Sequence, residues 1–83
     1  MNLVLHLKVK NMNGVLERIL GQIRYRGHKL LSIMAHPTRE GGLEVTLNVE
    51  SSGKGGNLSR HMQKLIDVES VEMYGQIKQA RIV

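Results

Sequence analysis

The sequence predicts an α+β fold in which two helices cover one face of a four-stranded antiparallel sheet. Three observations predict it. Apolar residues alternate with a period of two near residues 3–9 and 43–49, and they recur at helical spacing near 15–23 and 58–66. The two periods follow one another in the order strand, helix, strand, strand, helix, strand. Two apolar helix stripes and one apolar sheet face close on each other as two layers.

The elements follow in order. Leu3, Leu5, Leu7 and Val9 fall on one side of the first strand, with His6 and Lys8 on the other. "KNMNG" at 10–14 is a polar turn, in which Asn13 is placed to cap the helix that follows. Val15, Leu16, Ile19, Leu20 and Ile23 form the stripe of that helix, Glu17, Arg18, Gln22 and Arg24 face water, and Gly27 is its left-handed stop. "KLLSIMAHP" reads as a strand apolar on both faces, Leu31, Ile33 and Ala35 against Leu30 and Met34, and Pro37 ends it. "TREGG" is a hairpin loop.

In "GLEVTLNVE", Leu43, Val45, Leu47 and Val49 point inward and Glu44, Thr46, Asn48 and Glu50 outward. "SSGKGGN" breaks that strand as a flexible connection; it lacks the glycine and lysine spacing of a phosphate loop. A second helix starts near Leu58, capped by Asn57, with Leu58, Met62, Leu65 and Ile66 on one face. "DVESVEMYG" is a last strand with Val71 and Met73 inward. The domain spans 1–75, and 76–83 is a basic tail.

Right-handed crossovers turn this order into the ferredoxin-like βαββαβ arrangement, with the first and third strands central and the second and fourth at the edges. An edge strand apolar on both faces invites pairing, and a homodimer through strand 30–36 covers it. Size points the same way. A chain of 83 residues buries only about 60% of its unfolded surface, which favours association.

Composition excludes several function classes. With no cysteine, disulfides and cysteine-based zinc sites are ruled out. No signal-peptide pattern opens the chain, and no apolar run approaches the ~20 residues of a membrane span, so a soluble cytoplasmic protein is expected. Twelve Lys and Arg against seven Asp and Glu suit an anionic partner or simple solubility. Two tyrosines without phenylalanine or tryptophan leave few platforms for base stacking, which weighs against nucleic acid.

Catalysis finds no support. No paired carboxylates converge on a strand end, and His6, His28, His36 and His61 share no metal-ligand spacing and read as solvated polar residues. Ser59, Arg60 and His61 read as an ordinary helix surface. The turn at 10–14 is the better candidate, since Gly14 admits a close backbone approach. The amides of Gly14, Val15 and Leu16 could then meet a small carboxylate at the positive end of the helix. The same residues are also explained if Gly14 only eases a tight turn and Asn13 only caps.

"KNMNGVLERILGQIRYRGHKLLSI" resembles the opening of ACT domains, whose first strand passes through a short Asn/Gly turn into the first helix. "LERILGQIRYRGHKLLSIMA" and "LSRHMQKLIDVESVEM" look most like the small regulatory subunits of acetohydroxyacid (acetolactate) synthase, of the short isozyme II type. The resemblance covers about residues 3–74. It implies a non-catalytic subunit that binds the large catalytic subunit and raises its activity in branched-chain amino-acid synthesis. It implies no cofactor on this chain; thiamine diphosphate, FAD and Mg belong to the catalytic partner.

In valine-sensitive members of the family the amino acid sits at the dimer interface, held by the turn before the first helix. The matching positions are Asn11, Asn13, Gly14 and Val15, with Ile33 and Met34 from the second strand, and valine or another branched-chain amino acid is the implied effector. The family often has proline before the glycine, where this chain has Asn13. Isozyme II types are typically insensitive to valine, yet Asn11 and Gly14 are retained. Arg18, Arg24 and Arg26 are the residues expected to dock on an acidic patch of the large subunit. A stand-alone amino-acid sensor acting on another protein is the alternative reading.

Overall fold

The computed structural model describes residues 2–51 and 57–74. Most of the "SSGKGGN" connection and the whole of the basic tail at 76–83 lie outside the described residues. The elements are β1 (Asn2–Lys10), α1 (Val15–Tyr25), β2 (Lys29–Pro37), β3 (Gly42–Glu50), α2 (Leu58–Gln63) and β4 (Val68–Tyr74). The sheet runs β2-β3-β1-β4 with every neighbouring pair antiparallel, so β1 and β3 are central, as the ferredoxin-like reading requires.

The period-two pattern sets the register. Leu3 pairs with Val49, Leu5 with Leu47, Leu7 with Val45 and Val9 with Leu43, so one face of the central strands is continuously apolar. A slip of one residue would turn all of them to solvent. Val15, Ile19 and Ile23 of α1 and Leu58 and Met62 of α2 close over that face to complete the buried core. Val71 and Met73 of β4 pack against its margin, on the side predicted.

Three expectations need correction. Asn13 does not cap α1: the cap position is Gly14, and no side chain bonds there. In β2, Leu30 pairs with Val49 and Ser32 with Asn48, leaving Leu31 as the extra residue of a bulge. The bulge reverses the alternation, so Leu30 joins Ile33 against the core while Leu31 is 46% exposed. Ile66, expected on the core stripe of α2, is 81% exposed. The helix ends at Gln63, and the amides of Lys64 and Leu65 donate three residues back, to the carbonyls of His61 and Met62. That tighter turn rotates the chain off the helical period before Ile66. Asn57 does occupy the cap position of α2, without a side-chain hydrogen bond.

Gly27 closes α1 as predicted. At φ +82° it lets the His28 amide donate to the Ile23 carbonyl and its own amide to that of Arg24, the paired bonds of a Schellman stop. The hairpin at 38–42 is held by the Thr38 amide on the Gly42 carbonyl and by the Gly42 amide on the Thr38 hydroxyl.

Candidate functional site

The turn between β1 and α1 is built from four backbone hydrogen bonds. The Lys10 amide donates to the Asp67 carbonyl, Met12 to Lys10, Val15 to Met12, and Arg18 to Gly14 as the first intrahelical bond. Gly14 sits at φ 82°, ψ 2°, and no non-glycine residue among the described residues has positive φ, so Met12–Val15 is a type II turn with Asn13 in its second position. That position favours a residue with φ near −60°, which is the physical reason proline suits it in related sequences.

The proposed anion site is narrower than the sequence suggested. The Val15 amide is already spent on Met12, which leaves the Leu16 and Glu17 amides of the first turn without an intrahelical acceptor. Asn11 and Asn13 are exposed beside them, and Val15 is buried in the core. A side chain at Gly14 would meet the Arg18 guanidinium at 3.2 Å.

The other half of the predicted effector site lies elsewhere in the chain. Ile33 pairs through Leu47 to Leu5, five residues before Lys10, so it stands about 17 Å along the strands from the turn. Ile33 also faces the helices, whereas Met34 lies on the opposite sheet face, opposite Thr46 and 57% exposed. One chain alone therefore does not bring Asn11, Gly14, Ile33 and Met34 together.

The three docking arginines separate in the same way. Arg18 is ion-paired to Asp67, whose carbonyl holds the end of β1, so this guanidinium ties α1 to the α2–β4 junction. Arg24, six residues on, points about 120° away around the helix. It lines a groove of about 440 Å³ between α1 and β2 with Glu17, Leu20, Gly21, Ile23, His28 and Leu30. Arg26 lies over the Tyr25 ring, 5.4 Å from its centroid.

The histidines are not equivalent. His6 Nδ1 is 3.1 Å from the Thr46 hydroxyl. His28, expected to be solvated, has its Nδ1 buried without a hydrogen-bond partner, and burial lowers its pKa below the ordinary histidine value. The pKa of His61 is lowered by burial and by the charges of Arg26, Lys64 and Arg60. Sequence reasoning missed both environments. The Schellman stop that turns His28 back beside α1 was the available signal for the first. Among the described residues, no group of three or more His, Cys, Asp or Glu is arranged to hold a metal. No described helix is long and apolar enough to cross a membrane.

This geometry defines a small ferredoxin-like α+β module with a glycine turn ahead of its first helix and a groove along its β2 edge. A sequence profile of the ACT domain matches residues 11–71, and the chain belongs to the ACT-domain family, whose modules are regulatory and non-catalytic.

Solved structures agree on the fold. The ACT domain from GTP pyrophosphokinase of Chlorobium tepidum superposes with a TM-score of 0.72 at 18% identity, over 89% of this chain and 97% of that one. The C-terminal domain of the MgtC protein from Mycobacterium tuberculosis gives 0.68 at 14% identity, over 88% and 84%. A homoserine dehydrogenase from Thiobacillus denitrificans gives 0.71 at 17% identity, over 87% of this chain but 16% of that enzyme. No curated protein sequence matches the chain.

Proposed function

We propose that this ACT domain is the regulatory and activating small subunit of an acetohydroxyacid (acetolactate) synthase, acting in the cytoplasm on a large catalytic subunit. That partner carries thiamine diphosphate, FAD and Mg, and this chain carries no cofactor. The resemblance of residues 16–35 and 58–73 to the isozyme II small subunits supports the assignment of partner.

The single structural observation that carries the effector part is the groove beside the β2 edge. Leu20, Ile23 and Leu30 give it an apolar lining, and Arg24 and Glu17 give it opposite charges suited to the carboxylate and ammonium of a branched-chain amino acid such as valine. Antiparallel pairing of β2 with a second copy sets the start of one β2 against the end of the other. The groove of one protomer then turns toward the Asn11–Val15 end of its partner. Exposed Leu31 and Met34 on this edge support such a homodimer through residues 30–36.

The test is acetolactate formation by a purified large subunit with and without this chain, across titrations of valine, leucine and isoleucine. The reading expects activation by the chain. Amino-acid binding without activation or complex formation would move the assignment to a free sensor acting on another protein.

A further inference from the structure

The sequence placed the docking surface on α1 alone, but the fold gathers positive charge differently. Arg18 is committed to Asp67 and Arg24 belongs to the groove, whereas Arg26 at the end of α1 comes within Coulombic reach of α2. α1 and α2 pack against each other, which brings the Arg26 charge, with those of Arg60 and Lys64 on α2, to bear on His61. Arg26, Arg60 and Lys64 are exposed, and the Tyr25 ring, 77% exposed, lies under the Arg26 guanidinium. Like charges this close repel one another, and among the described residues no carboxylate is ion-paired with them. Five of the seven acids, Glu40, Glu44, Glu50, Glu69 and Glu72, lie instead on the strands and the β2–β3 hairpin.

We propose that Tyr25, Arg26, Arg60, His61 and Lys64 form a docking surface for an acidic protein segment, across the ends of both helices. This deepens the small-subunit reading and rests on it only for the identity of the protein that supplies the acids. Guanidinium forks match carboxylates in a bidentate way, and an exposed tyrosine beside arginine is the residue pair that anchors protein interfaces. Nucleic acid fits less well, because its affinity grows with the number of phosphates neutralised and three permanent charges give a log–log salt slope of only about −2.1 on a single strand and about −2.7 on a duplex.

His61 makes the surface sensitive to pH. The charges bearing on it are Arg26 from α1 and Arg60 and Lys64 from α2, all repelling its proton. An incoming carboxylate opposes that field and raises the His61 pKa in the complex above its value in the free chain, so binding takes up a proton and tightens as pH falls.

The experiment is a titration of the isotope-labelled chain with octaglutamate at low salt, followed by amide chemical shifts, with octauridylate in parallel. Octaglutamate should move residues 25, 26, 60, 61 and 64. The Arg26→Glu, Arg60→Glu pair should weaken it roughly tenfold while the spectrum stays folded. The Lys8→Glu, Arg39→Glu pair, the same change of charge on the sheet side, should leave affinity within about twofold. Affinity should be higher at pH 5.5 than at 7.5, and His61→Gln should remove most of that difference. Equal weakening by the two charge-reversed pairs would leave net charge as the whole cause and overturn the proposal. Tighter binding of octauridylate at the same residues would overturn it in favour of nucleic acid. Because no synthase subunit is used, this surface and the small-subunit reading can fail separately.

Discussion

Replacing Gly14 by aspartate tests the turn, provided that its effect on folding is separated from its effect on a ligand. Gly14 lies at φ +82°, where a side chain costs about 1–2 kcal/mol, so Gly14→Asp destabilises whatever the turn binds. Gly27 has the same φ of +82° with nothing within 4 Å of a built Cβ, which makes Gly27→Asp a control of matched strain. At Gly14 the new carboxylate also meets the Arg18 guanidinium and competes with Asp67 for it, an exchange worth no more than about 1 kcal/mol at this exposure. In a domain of this size both variants should therefore melt about 4–16 °C below the parent. Circular-dichroism melts measure that loss, and calorimetric titration with valine measures binding. Valine affinity should fall at least tenfold in Gly14→Asp, where the new carboxylate faces, across the dimer, the amino acid held in the other protomer's groove, and should hold in Gly27→Asp. Unchanged valine binding in Gly14→Asp, or equal loss in both, would remove the turn from the effector site.

Glycine substitutions elsewhere should split in sign. A Cβ on Gly42 would lie 2.8 Å from the Val9 carbonyl oxygen, so Gly42→Ala should cost about 1–3 kcal/mol in denaturant unfolding. Gly21, inside α1 with nothing within 4 Å, should instead gain about 0.5–1 kcal/mol as alanine, a difference the same unfolding curves would show. Burial lowers the His28 pKa, so below about pH 6.5 the unfolded chain takes up the proton first and stability is lost as pH falls. Melts between pH 7.5 and 5.0 should show that decline, and His28→Gln should flatten it. Leu31→Lys with Met34→Lys should shift sedimentation equilibrium toward monomer without lowering the unfolding midpoint of the monomer, because both side chains are exposed in one chain.

The fold was legible because its signals are local and redundant. Leu3, Leu5, Leu7 and Val9 against Val45, Leu47 and Val49 state a two-residue period that no helix satisfies, and Val15, Ile19 and Ile23 state the other period as plainly. What escaped was each place where one residue breaks a period. Leu31 is indistinguishable in sequence from its neighbours, and only pairing with β3 shows that it is the extra residue. Ile66 continues the helical spacing of Leu58 and Met62 on paper, but the last turn tightens before reaching it. The candidate site was less legible still, because its charges act across elements. Arg18 reads as a solvent-facing helix residue until Asp67, forty-nine positions away, is folded beside it. Arg26 and Lys64 become one surface only when α1 and α2 pack side by side.

The edge strand and the basic surface place a joint constraint on assembly. Antiparallel pairing of β2 with its own copy about an axis perpendicular to the sheet makes one continuous sheet, and that operation keeps the helices of both copies on the same side. Two surfaces of Tyr25, Arg26, Arg60, His61 and Lys64 then face one direction, while the glutamates of the strands face the other. A partner presenting two acidic segments at the matching spacing binds the second without a further loss of overall translational freedom. The apparent affinity of such a partner should fall when the β2 edge is blocked by Leu31→Lys and Met34→Lys, although neither residue belongs to the basic surface. A single octaglutamate, which reaches one surface only, should bind that variant as well as it binds the parent. Equal loss of both ligands would mean that the edge and the basic surface are not independent, and the two-surface geometry would have to be abandoned.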